Sequence, residues 1–188
     1  VLGVNNQISE ERIMDPDEIT RFTKDLGSRK DPATRRRARE FFTKMGTKAL
    51  PHLLKCLRNR DQGVRWEAGK ILQTLKDPLA APLLTEALKD DDFGVQWVAA
   101  GGLIALGRKG IIPLLQALQK DPESFSLRHG AHHVLQELAR RGLLKAPLRD
   151  LLPELERLDG GLAIIPAAER ALNALPGGWR SSLAKPPS

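Results

Sequence analysis

Three groups of side chains in this sequence occur at spacings that could do chemistry. The first is the run RRRAR, where Arg35, Arg36, Arg37 and Arg39 join Lys44, Lys48, Lys55, Arg58 and Arg60. Residues 29–60 hold 11 Lys/Arg against 2 Asp/Glu, a local charge of +9 in a chain whose net charge is +7. Such a cluster can neutralise phosphates, an acidic protein face or anionic lipid, with an affinity that falls steeply with salt. The plainer alternative is that these cations only solvate an apolar fold. The second group is Trp66 and Trp97, which stand in matching contexts, DQGVRWEAG and DFGVQWVAA. Exposed beside cations, the indoles would make a stacking or docking surface. Laid flat across a neighbouring helix, each would only shield it. The third is RHGAHH, where His129 and His133 share one helical face and His132 lies beside them. Zinc wants more ligands, and no Cys pair or His-Glu-x-x-His pattern supplies them, so a solvated face is expected and no metal or other cofactor.

No Gly-rich phosphate loop, nucleophile elbow or paired-carboxylate cleft stands out, which points to a non-catalytic protein. Isolated Asp and Glu residues read better as helix caps and inter-repeat partners. The single cysteine, Cys56, falls in an apolar helix and reads as a small buried hydrophobe; one cysteine suits a reducing cytosol. No apolar run long enough to span a bilayer and no charged-then-apolar signal segment is read. Aromatics are 4% with no Tyr, so the core must come from Leu, Ile, Val and Ala.

The elements that carry these residues repeat. DQGVRWEAGKILQTL from Asp61 returns 31 residues later as DFGVQWVAAGGLIAL from Asp92. Val64, Ala68, Ile71, Leu72 and Leu75 lie on one face of a helix, and Val95, Ala99, Leu103 and Leu106 repeat that face. Earlier and later copies run through Ala38, Phe41, Phe42 and Met45, and through Leu127, Ala131, Val134, Leu135 and Leu138. A degenerate last copy is read at Asp159, Ala168, Leu172 and Leu175. Between the copies lies a second helical pattern, ALPHLLKCL, AAPLLTEAL and GIIPLLQAL, with Pro51, Pro82 and Pro113 in the first turn, where the missing N–H matters little. The Asp before each first helix is a good N-cap. One such pair cannot bury its apolar faces alone, whereas stacked pairs share a continuous core. Gly101 and Gly102 inside a helix fit either close helix approach or local looseness.

The pattern D-x-x-V-R-x-x-A-x-x-L-x-x-L followed by P-L-L-x-x-A-L resembles the HEAT-like repeats first noted in phycobilin lyases, over roughly residues 31–175. The resemblance implies an all-α, right-handed solenoid of about four to five helix pairs. Repeats are expected near 31–60, 61–91, 92–120, 121–158 and 159–175. A capping helix is expected at 15–27, a mobile segment at 1–14 and a flexible tail from 176 that Trp179 pins at its start. The resemblance also implies that Arg35, Arg65 and Arg128 pair with Asp residues between repeats, with Gln96 departing from the pattern. It further places the second helices on the concave face, where Lys48, His52, Lys55, Glu86 and Gln116 are the polar candidates. With Arg35, Arg36, Arg37, Arg39, Trp66, Trp97 and His129 they complete the expected binding set. The function expected first is a cytosolic protein–protein scaffold whose partner has an acidic face. A nucleic-acid-binding module and a bilin-lyase-like role are the alternatives, and pairing of two chains through the degenerate last repeat is left open.

Overall fold

The computed structural model describes residues 15–157 and 163–176. Segments 1–14 and 177–188, with Asp159 and Trp179, lie outside the described residues. Among the described residues the chain is all helical: α1 (Pro16–Leu26), α2 (Pro32–Met45), α3 (Leu50–Cys56), α4 (Gln62–Leu75), α5 (Ala81–Ala87), α6 (Phe93–Leu106), α7 (Ile111–Lys120), α8 (Phe125–Arg140), α9 (Leu152–Glu156) and α10 (Ile164–Asn173). Stacked helix pairs make an α-solenoid.

Local sequence starts and stops these helices. The carboxylates of Asp31, Asp61 and Asp92 accept from the backbone N–H of Ala33, Gly63 and Val95, which closes the N-termini of α2, α4 and α6. The fourth first helix departs from expectation. Ser124 caps α8, while Asp121 pairs with Lys89 across the repeat boundary at 3.0 Å. Helices α2 and α6 end where Gly46 and Gly107 take φ of +59° and +60° with ψ near −130°, a region open to glycine alone, whereas α4 ends at left-handed Lys76. After α2 and α6 the chain turns through a short 3₁₀ segment into a second helix that carries Pro51 or Pro113 in its first turn.

First helices α2, α4, α6 and α8 stack in one layer, and α5, α7 and α10 in the other. Helix α1 packs on both α2 and α4 and covers the open side of the first pair. Leu26, Phe42, Leu53, Ile71, Leu84, Leu103, Leu114, Leu127 and Ile164 are fully buried along one continuous core. Cys56 is buried within it, where burial pushes its thiol pKa up.

Ile164–Asn173, expected as a degenerate first helix, packs on α7, and its opening Ile164-Ile165-Pro166 repeats Ile111-Ile112-Pro113. The α9 segment, entered through a 3₁₀ turn with a proline in its first turn as α3 is, packs on α8. The reading that no apolar run is long enough to span a bilayer needs correction: Phe93–Lys120 is, by length and composition, apolar enough to do so. The turn at Gly107 folds it into α6 and α7, and 67% of its most apolar window is buried, so that apolarity is core.

Helix α6 lies unusually close to its neighbours. A Cβ on Gly69 would stand 2.6 Å from Val98 Cγ1, and one on Gly102 would stand 2.9 Å from Leu84 Cδ1. Close approach thus accounts for Gly102. At Gly101 the nearest atom is the amide nitrogen of Gln73, the end of a flexible side chain. Gly69→Ala should therefore destabilise the protein by about 1–3 kcal/mol through overpacking against stiff Val98. Gly101→Ala should be neutral or stabilise by up to about 1 kcal/mol from helix propensity. Urea unfolding midpoints of the two variants check the pair.

Candidate functional site

Two cations of the +9 segment, Arg35 and Arg39, turn to the next repeat, while Arg36, Arg37, Lys44, Lys48, Lys55, Arg58 and Arg60 are exposed. Arg39 donates to both oxygens of Glu67 at 2.7 and 2.9 Å, and Arg35 approaches the same carboxylate at 3.7 Å. Glu67 is only 2% exposed, so this carboxylate is buried at the repeat boundary. Arg35 also donates to the Ser28 carbonyl at 2.6 Å. Arg36 and Arg37 point to solvent, with Arg36 near Glu40 at 4.0 Å. Arg37 and Lys44 line an open groove of about 510 Å³ between α1 and α2, floored by the stacked rings of Phe22 and Phe41.

The arginine of the V-R pattern reaches the carbonyls of the loop before its own helix. Arg65 donates to the carbonyls of Asn59 and Arg60, and Gln96 reproduces the contact by donating to the Asp90 carbonyl at 2.6 Å. Arg65 also grips Asp90 through two bonds of 2.7 and 2.8 Å and reaches Asp91 at 2.6 Å. Burial pushes the Asp90 carboxyl up, but the hydrogen bonds from Arg65 and the Asp92 amide outweigh it and leave its pKa below the ordinary value. Arg128 breaks the series. It is 7% exposed, donates to the Arg157 carbonyl, and has no carboxylate within ion-pair distance among the described residues.

The polar candidates on the second helices are spread out. Lys48, Lys55, Glu86 and Gln116 are exposed, and Glu86 pairs with Arg58 at 3.0 Å. His52 is half-buried, and burial together with the Lys55 charge lowers its pKa.

The most coherent surface is a stripe of rings on the solvent side of the first helices. Trp66 is 37% exposed and Trp97 is 59% exposed; Phe93 and Phe125, one turn before Trp97 and His129, reach 65% and 66%. Trp97 stacks on His133 of the next repeat at 4.8 Å, Phe125 on His129 at 6.0 Å, and Phe93 leans on Trp97 at 6.4 Å. Trp66 lies over the start of α6, where a Cβ on Gly94 would stand 3.5 Å from the indole, with Lys70 above its ring at 5.8 Å. Trp66 thus partly shields its neighbour, while Trp97 presents its rim to water. His132 pairs with Glu156 at 2.9 Å, so the three histidines diverge to three different partners. Among the described residues no group of three or more His, Cys, Asp or Glu side chains converges on one point.

Phe93 and Phe125 escape the sequence reading because it follows the Trp column alone. The signal was present: both occupy the same position after the capping residue, four before Trp97 and His129.

Residues 19–103 match the family model of HEAT repeats. The match covers α1 to most of α6 and supports a HEAT-like repeat protein; it does not single out the phycobilin-lyase subtype. Helix stacking continues past the matched segment through α8 and α10. No curated protein matches the chain.

Removing Arg39 leaves Glu67 buried with Arg35, among the described residues, as the cation beside it. Arg39→Ala should cost about 2–4 kcal/mol, measured by urea unfolding, whereas loss of the exposed Arg36 should cost less than about 0.5 kcal/mol. The Arg65–Asp90 pair carries a pH signature. A carboxyl whose folded pKa is depressed contributes its full stability above the ordinary Asp value of about 3.9 and loses it as pH falls toward the folded pKa. Asp90→Asn should lower stability at neutral pH and flatten the acid limb below about pH 4, read from melting temperatures across that range.

Proposed function

We propose that the chain is a non-catalytic, cytosolic protein–protein interaction scaffold that seats a partner protein on the aromatic stripe of its first helices. One observation carries this reading. The sequence holds 5 Phe and 3 Trp, and four of those eight rings, Trp66, Phe93, Trp97 and Phe125, lie exposed on one stripe. A chain this poor in aromatics would gain more by burying them, and exposed, adjoining aromatic side chains favour association with another surface. Trp and its neighbours also dominate binding energy where interfaces exclude water. The second helices offer charged and polar groups instead, and among the described residues none carries an exposed large apolar side chain.

The nucleic-acid alternative keeps the exposed Arg36, Arg37, Lys44, Lys48, Lys55, Arg58 and Arg60 of the basic first repeat, while Arg35 and Arg39 are committed to Glu67. The bilin-lyase subtype gains nothing from a match to HEAT repeats in general.

A photo-crosslinking residue placed at Phe93, and separately at Gln116, tests which face meets the partner. Capture from Phe93 and not from Gln116 is expected. With the captured partner purified, Trp97→Ala should weaken binding about 30-fold while shifting stability by less than about 1 kcal/mol. Capture only from Gln116, or partner affinity unchanged in Trp97→Ala, would remove the aromatic-face reading. Binding of an oligonucleotide that weakens steeply with salt and vanishes in Arg36→Glu/Arg37→Glu would put nucleic acid in its place.

A further inference from the structure

Arg35, Arg65 and Arg128 occupy one position in successive first helices, with Gln96 between the last two. Two of these three guanidiniums meet carboxylates: Arg35 approaches Glu67, and Arg65 grips Asp90 and Asp91. Arg128 is the most buried of the three, yet among the described residues it alone has no carboxylate within ion-pair distance. Its Nη1 donates to the Arg157 carbonyl at 2.9 Å, and its Nε, buried, has no hydrogen-bond partner. Of the acids on the following segment, Glu156 pairs with His132 at 2.9 Å, while Glu154 lies 3.7 Å from Arg157 and its buried Oε2 also has no hydrogen-bond partner, which makes it an internal rival for Arg128.

A buried guanidinium without a counter-charge is unfavourable, and an open donor on it points to an acceptor from outside. Arg128 lines a cavity of about 260 Å³ between α8 and α9, with Phe125, His129, His132, Leu155 and Glu156 around it. Phe125 and His129 are exposed at its edge and belong to the aromatic stripe. The cavity therefore opens onto the surface that the scaffold reading assigns to a partner.

We propose that this cavity takes the carboxylate of an acidic side chain on the partner, which binds Arg128 as Asp90 binds Arg65. The carboxylate accepts from Nε, and apolar residues flanking it in the partner chain lie on Phe125. The chemistry follows from the column itself, whose other guanidiniums take carboxylates of this chain. The proposal builds on the scaffold reading by naming the partner's chemistry, but its test needs no partner.

The probe is the blocked tripeptide acetyl-Leu-Glu-Leu-amide, with acetyl-Leu-Gln-Leu-amide and inorganic phosphate as comparisons. The readout is the side-chain Nε–Hε resonance of Arg128 in the full chain, assigned by its loss in Arg128→Lys. A saturable shift with the Glu peptide is expected, with the Gln peptide at least about tenfold weaker, because a hydrogen bond to a charged acceptor is lost. Phe125→Ala, at an exposed position that leaves the fold intact, should weaken the Glu peptide about threefold. No movement of the Arg128 resonance with the Glu peptide would overturn the proposal. So would a phosphate response as strong as the peptide's, which would make the cavity a phosphate site. Asp159, outside the described residues, and Glu154 are the internal rivals. If Asp159→Asn or Glu154→Gln moves the Arg128 resonance without any probe, a carboxylate of this chain already fills the place and the proposal fails. A stripe that proved to bind no partner would leave the peptide titration unaffected, so the two readings fail separately.

Discussion

The stacking of this chain depends on guanidinium groups that bridge one repeat to the next. Glu67 shows why. A carboxylate so deeply buried is tolerable only where hydrogen-bonded cations replace water, and Arg39 supplies two parallel bonds while Arg35 approaches from the previous turn. The apolar faces alone would let the pairs slide along each other, because Leu-on-Leu contact is not directional. A bidentate arginine is directional, and fixes both spacing and rotation between neighbouring helices. Strength of pairing alone does not confer that role. Arg140 and Arg141 hold the Glu137 pKa down at about 2, yet all three lie within one turn of α8 and join nothing across a boundary.

Where the bridges fix the register, small residues set the distance. Gly69 and Gly102 let α4, α5 and α6 approach until a methyl group would collide with Val98 and Leu84. The same closeness pushes larger side chains at the intervening positions outward. Phe93 and Trp97 cannot turn into a seam already filled by Val95, Val98 and Ala99, and so they lie on the solvent side. The exposed aromatic stripe is in this sense the counterpart of the tight interior. Trp97 then gains a neighbour only by stacking on His133 of the following repeat.

Much of this was legible in the sequence, for reasons that are local. The capping carboxylates of Asp31, Asp61 and Asp92 act within three residues, and the apolar periodicity states directly which face is buried. Cys56 and the first-turn prolines were readable on the same grounds. What was not legible lies between elements. Nothing in residues 35–39 reveals that Arg35 and Arg39 turn to an acid 28 to 32 positions further on while Arg36 and Arg37 do not. Ser124 displaced Asp121 as a cap because α8 starts later than the repeat spacing suggests, which freed Asp121 for Lys89. The last helix was hard to place, because its apolar spacing suits either helix of a pair. Its Ile-Ile-Pro opening, matching that of α7, was the better guide.

The segment 141–157 ties these threads together. In earlier units the helix that stacks on a first helix also supplies the acid or loop that completes its guanidinium. After α8 the chain instead folds α9 back over that face, and offers Arg128 a single carbonyl. The solenoid thus ends its first-helix layer at α8, while α10 continues the second layer. An arginine kept in the repeat position, buried and deprived of its repeat partner, is the physical mark of that interruption. Among the described residues it places a buried guanidinium with an open Nε beside Phe125, the most exposed of the aromatic rings.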